Sequence, residues 1–220
     1  DARMGAEFGA VGVGLFRTEY LYLIHPSVPD EDEQVEVYRQ VIQATPNRRV
    51  TIRTLDLGGD KSIPYLGHHG EANPFLGWRS LRISFEHPDF FRTQMRAILR
   101  AGRYGRVGML FPMVTTPEEL DRVHRMVRQA PRELTRRRVP QGKVKIGVMI
   151  EVPAAAVCID KLLESIDFVS IGSNDLTQLV LGVDRDNERL ASLYDERDAA
   201  VLAAIREIVA RAHEAGMTVS

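Results

Sequence analysis

Four apolar runs each end on a charged or polar side chain. "VGVGLF" (11 to 16) runs into Arg17, "RVTI" (49 to 52) into Arg53, "KVKIGVMI" (143 to 150) into Glu151, and "FVSIGS" (168 to 173) into Asn174 and Asp175. Burying any one of these groups without a partner costs several kcal/mol, so their repeated placement implies that they meet one another or a ligand. Arg17, Arg53, Arg79 and Arg185, with Lys61 of "GGDK", form an anion-binding set. Guanidinium forks match phosphate and carboxylate oxygens and stay charged at any working pH. Glu151 and Asp175 offer two hard oxygen ligands, and Mg²⁺ is usually held by one or two carboxylates completed by substrate oxygens and water. The combination points to a phosphorylated acid bound through a metal.

Each residue also has a structural reading. Arg185 lies between Asp184 and Asp186 in "VDRDN", where a loop ion pair would account for it. Glu151 and Asp175 could each serve as an acid at the start of a helix. Other possible sites are weaker. Gly12 and Gly14 lack the third glycine of a dinucleotide fingerprint, and Gly58-Gly59 does not supply one. The adjacent His68 and His69 have no zinc-like partners nearby and read as an exposed turn. Cys158 reads as a small packed hydrophobe.

The elements that must position these groups alternate. Strand candidates are "VGVGLF" (11 to 16), "RVTIRTLD" (49 to 56), "RVGMLFPMV" (106 to 114), "KVKIGVMIE" (143 to 151) and "DFVSIGS" (167 to 173), with "GMTVS" beginning a sixth at Gly216. Thr116, Pro117 and Glu119 read as N-cap, first helical residue and capping-box acid of a helix that aligns Leu120, Val123 and Met126. Pro153 starts a helix expected to run to Ile166. Leu202, Ile205, Val209 and Ala212 mark another, ending at Gly216. Repeated βα units predict an α/β protein with a parallel sheet, open and doubly wound or closed as a (β/α)₈ barrel. In a barrel, functional groups lie just past the C-terminal ends of several strands, as the four run ends do here.

Composition narrows the function classes. The 220 residues carry 29 Lys and Arg against 30 Asp and Glu, a net charge of −1, which argues against nucleic acid or an anionic membrane as partner. The longest basic run, Arg136 to Arg138, reads as a solvated loop between Pro131 and Pro140. One cysteine excludes an internal disulfide framework and fits a reducing compartment, so a cytoplasmic location is expected.

"GVGLFRTEYLYL", "IRTLDLGGDKSIPYL", "NPFLGWRSLRIS", "LFPMVTTPEEL", "GVMIEVPAAA" and "IGSNDLTQLVLGVDRDN" occur in this order across the chain. They resemble the phosphoenolpyruvate-binding barrel of Enzyme I of the sugar phosphotransferase system. The resemblance implies a (β/α)₈ TIM barrel of the phosphoenolpyruvate/pyruvate type that binds phosphoenolpyruvate (PEP) and Mg²⁺. It passes the phosphoryl group to a histidine on another domain and thence to the carrier HPr. Arg17, Arg53, Asn174 and Arg185 match the phosphate-binding positions, Glu151 and Asp175 the magnesium ligands, and Arg53, Lys61 and Arg79 the catalytic positive charges. A homodimer of the complete protein is implied by analogy.

The resemblance also implies that residues 1–220 are part of a longer barrel. About six of eight strands are present, with the first strand and the last one or two missing, and the family's proton-donating cysteine lies in a "CGE" motif beyond the last. This stretch alone is therefore expected to be inactive. Ser173 and Leu179 depart from Enzyme I toward PEP synthase and pyruvate phosphate dikinase, which remain alternatives. So do the Mg²⁺-dependent C–C lyases that share a "GVMIE"-like strand end, and a non-catalytic PEP-sensing barrel.

Overall fold

The computed structural model describes residues 2–24, 27–58 and 71–220. From the N-terminus the elements are α1 (Ala2–Glu7), β1 (Gly12–Arg17), α2 (Glu19–Ile24), α3 (Glu31–Ala44) and β2 (Arg49–Arg53). Next come α4 (Leu81–Glu86), α5 (Pro88–Ala101), β3 (Arg106–Phe111), α6 (Pro117–Arg136) and β4 (Val144–Ile150). The chain continues through α7 (Pro153–Val157), α8 (Ile159–Leu163), β5 (Phe168–Ile171), α9 (Ser173–Leu181), α10 (Ala199–Glu214) and β6 (Thr218–Val219). Hydrogen-bonded neighbours follow chain order, β1-β2-β3-β4-β5-β6. A doubly wound sheet reverses its strand order at a switch point, whereas a barrel adds each strand beside the last. The consecutive order favours the barrel-type expectation, here as a partial one.

The chain divides into two compact units, Asp1–Leu110 with Val123–Lys145, and Phe111–Arg122 with Ile146–Ser220. In the first, β1 pairs parallel with β2 from Gly12↔Arg49 to Arg17↔Arg53, and β2 with β3 from Arg49↔Arg106 to Arg53↔Leu110. Val50, Ile52, Tyr38, Phe91, Met95 and Ile98 are its fully buried core. The capping box at Asp30 and Glu33 starts α3, which packs on α5. In the second unit β4, β5 and β6 are parallel, with Ile150↔Ile171 and Phe168↔Thr218 in register. Val148, Ile150, Leu162, Val169, Leu176 and Ile208 are buried there.

The six predicted strands are found, five of them ending earlier than the predicted run and β1 ending one residue later, at Arg17, and some helical details differ. The helix from Pro153 is interrupted at Cys158 (φ −95°, ψ 16°) and stops at Leu163 rather than Ile166. Ala155, Ile159 and Leu162 keep one buried stripe across the interruption, so packing tolerates it. In α10 the inward residues are Val201, Ile208 and Ala212, while Leu202 is exposed. Apolar residues surround the start of that helix, so its periodicity does not select one face. The capping acid Glu119 accepts from the Thr115 N–H at 2.7 Å, one residue earlier than expected, while Thr116 Oγ1 accepts from the Glu119 N–H at 3.3 Å.

The Arg136 to Arg138 run is solvent-exposed as expected, but only Arg137 and Arg138 lie in a turn, and Arg136 ends a helix. Helix α6 continues through Pro131 to Arg136, and Arg137 pairs with Glu31 at 2.7 Å. Glu31 also holds Arg96 at 2.7 Å and Arg100 at 2.8 Å, and Arg96 reaches Glu133 at 2.6 Å. Burial would raise the Glu31 pKa, but hydrogen bonds from Arg137, Arg96 and Arg100 outweigh it and hold the carboxyl at about 2. Stability from this depression is present above the ordinary value of 4.5 and is lost as pH falls toward about 2. The denaturation midpoint is therefore expected to fall over that window, and Glu31→Gln to flatten the fall. An equally steep acid loss in the variant would show that other carboxylates dominate.

Among the described residues, no helix is long and apolar enough to cross a membrane.

Candidate active site

Arg53 is the last residue of β2 and is only 5% exposed. Such a cation needs carboxylates, and two supply them. Glu19 Oε1 accepts from Arg53 Nη2 at 2.7 Å, and Asp56 Oδ2 lies 3.2 Å from Arg53 Nη1. Asp56 also accepts from Arg79 Nη2 at 3.2 and 3.3 Å. The result is an alternating buried row, Glu19, Arg53, Asp56 and Arg79, with no net formal charge. Polar side chains fix its backbone: Thr18 Oγ1 donates to the Arg53 carbonyl at 2.9 Å, and Gln94 accepts from the Leu55 N–H at 2.9 Å.

Arg79 comes from a distant segment, and the backbone explains how it arrives. Gly58 and Arg79 form an antiparallel bridge, and the Ser80 N–H donates to the Leu57 carbonyl at 2.7 Å. Gly58 has φ +103°, and a Cβ there would lie 2.3 Å from the Trp78 carbonyl oxygen, so only glycine allows this approach. Glu71 accepts from the Trp78 N–H at 2.9 Å, and the Arg79 guanidinium lies 6.0 Å from the Phe75 ring centroid. Arg17 ends β1 beside Arg53 in register, but its side chain is exposed and outside this row. Lys61, Gly59, His68 and His69 lie outside the described residues.

The second unit carries Glu151 and Asp175. Glu151 follows β4, is 1% exposed, and accepts from the Met113 N–H at 2.6 Å. Met113 itself has φ +55°, so the carboxylate secures a strained turn after β3. A Cβ on Gly172 would lie 2.4 Å from Glu151 Oε2, so a glycine is needed where the end of β5 closes on that oxygen. Helix α9 begins at Ser173, one glycine after β5, which puts Asn174 and Asp175 in its first turn, in keeping with the reading of Asp175 as an acid at a helix start. Asp175 is buried, and Arg185 Nη1 reaches its Oδ1 at 3.5 Å. Gln178 Oε1 accepts from the Arg185 N–H at 3.1 Å, and Tyr194 Oη donates to the Asn174 carbonyl at 3.2 Å. Burial, with help from Glu196, raises the Tyr194 phenol, so its proton stays in place as that donor.

Glu151 precedes Val152, the N-cap of α7, and its Oε1 is engaged by the Met113 N–H. Arg185 forms an ion pair with Asp175, ten residues away. Asp175 is in the first turn of α9, where the helix N-terminus favours its charge, but the N-cap is Gly172. Among the described residues, no group of three or more His, Cys, Asp or Glu side chains is placed to hold a metal. Glu151 and Asp175 are hard oxygen donors of the kind Mg²⁺ takes, and Ile150↔Ile171 pairing sets the strand ends that precede them side by side.

Sequence reasoning missed Glu19 and Asp56. Both were signalled, as an acid two residues after Arg17 in "RTE" and one three residues after Arg53 in "RTLD".

A family model described as "PEP-utilising enzyme, PEP-binding domain" matches residues 1–220. The chain is 41% identical over 98% of its length to the phosphoenolpyruvate-protein phosphotransferase of Buchnera aphidicola, and 44% identical over 97% to that of Borreliella burgdorferi. It is 45% identical over 94% of its length to multiphosphoryl transfer protein 1 of Escherichia coli. It spans 38% of the length of the first two relatives and 25% of the third. Among solved structures, a citrate lyase from Burkholderia xenovorans matches 99% of this chain and 57% of its own, with TM-score 0.61 and 17% identity. The citrate synthase SbnG matches 99% and 70%, with TM-score 0.55 and 14% identity. At these identities the two structures speak for the fold alone.

Proposed function

Because the chain belongs to the family of PEP-utilising enzymes through its PEP-binding domain, we propose that it is the barrel of a cytoplasmic PEP-protein phosphotransferase. The barrel is of the phosphoenolpyruvate/pyruvate type. The observation that carries this reading is the family match over the entire chain, joined to 41% identity with a phosphotransferase of that name.

Arg17, Arg53, Arg185 and Asn174 bind the phosphate of PEP, with Arg79 and Lys61 supplying further positive charge. Glu151 and Asp175 hold Mg²⁺, which when bound neutralises charge on the phosphoryl oxygens. Phosphoryl transfer asks little covalent chemistry of the protein, so positioning and fixed charge do most of the catalysis. Arg53 suits that task because its guanidinium is already oriented by the buried carboxylate of Glu19. The acceptor is a histidine on another domain of a complete, homodimeric protein, and HPr receives the group from it.

The test uses the complete protein, purified HPr and PEP labelled at phosphorus. Label is expected on an HPr histidine, and only with Mg²⁺ present. PEP formation from ATP and pyruvate would instead identify a synthase, and PEP binding with no transfer a sensor.

A further inference from the structure

The two buried acids beside Arg53 are not equivalent. Glu19 meets Arg53 at 2.7 Å, and the same Oε1 accepts the Asp56 backbone N–H at 3.1 Å. Its other oxygen, Oε2, is buried and accepts no hydrogen bond among the described residues. Asp56 touches two guanidiniums, but at 3.2 Å from Arg53 and at 3.2 and 3.3 Å from Arg79. Charge-assisted pairs are strongest near 2.7 to 2.9 Å, so the Asp56 contacts are the easier ones to give up. Asp56 thus lies between the two guanidiniums.

We infer that Glu19 is a positioning residue that fixes Arg53, whereas Asp56 is a resident anion that the substrate displaces from Arg53 and Arg79. The inference rests on the proposed binding of PEP and deepens it. Two carboxylates against two guanidiniums allow the arginines to be buried before any ligand arrives. Because Glu19 holds the Asp56 main chain, the Asp56 side chain can rotate away from the guanidiniums without moving the end of β2. Glu19 therefore keeps Arg53 aimed during the exchange.

Opposite signs test this. In the complete protein, Asp56→Asn is expected to tighten PEP binding by calorimetry about tenfold, because the competing anion is gone. Glu19→Gln is expected to weaken it about tenfold, because Arg53 loses its anchor. Both changes add the same net positive charge, so a general charge effect would tighten both, and that outcome overturns the division. Glu19→Asp, which keeps the charge but shortens the reach, should weaken binding as Glu19→Gln does. If Glu19→Gln does not fold, the sign for Asp56→Asn decides alone, with weaker or unchanged binding overturning the inference. A wild-type protein that binds no PEP would defeat the functional reading itself. Wild-type binding with the wrong signs in the variants defeats only the inference.

Discussion

Arg53→Ala is expected to destabilise the fold by about 3–5 kcal/mol, the cost of leaving buried carboxylates without their cation. Glu19 and Asp56 both lose a partner at once, and neither can reach bulk water because both are buried. Arg17→Ala is the matched control: the same side chain is removed from an exposed strand end, where a change within about 0.5 kcal/mol is expected. Urea unfolding of the two variants measures the difference, and equal midpoints would show that the Glu19, Arg53, Asp56 row does not bear on stability. Alanine is for the same reason a poor probe of function at Arg53. Arg53→Lys keeps a charge between the two acids but loses the fork that meets a phosphate with two parallel bonds. That variant is expected to remain folded while PEP-dependent transfer in the complete protein falls by about 10²–10³-fold.

The strand ends were legible because strands buried on both faces are apolar without interruption, so the first polar residue marks where each one leaves the sheet. That logic located Arg17, Arg53 and Glu151 within one residue of a strand end. At β5 the helix-start reading of Asp175 holds, since α9 begins after a single glycine and Asp175 lies in its first turn. Partners were the least legible. Glu31 meets Arg137 across 106 residues and Gln94 meets Thr18 across 76, and no local spacing encodes such pairs. Glu19 and Asp56 were nearer to being readable. A buried arginine requires an acid, and acids stood two and three residues after the two strand-end arginines. The proline within α6 misled for a different reason: a missing N–H is commonly a helix stop, but tertiary contacts carried the helix on to Arg136.

Glu151→Gln is expected to leave the fold intact and remove divalent-ion binding. The amide oxygen can still accept the Met113 N–H now held at 2.6 Å, so the turn at Met113 keeps its support and no cavity opens. What disappears is one negative charge and one hard oxygen donor, and a proposed two-carboxylate site has little else to offer Mg²⁺ from the protein. Loss of a supporting group behind a metal ligand typically weakens affinity 10 to 100-fold, so losing the ligand should cost at least about 100-fold. Calorimetric titration of Mg²⁺ into the complete protein with PEP present measures this, and the unfolding midpoint of the same variant separates it from damage to the fold. Glu151→Ala should show both effects together, since it also orphans the Met113 N–H in a buried place. A Gln variant that lost stability but kept its metal affinity would make Glu151 a support for the β3 turn alone, and the metal would have to be assigned elsewhere.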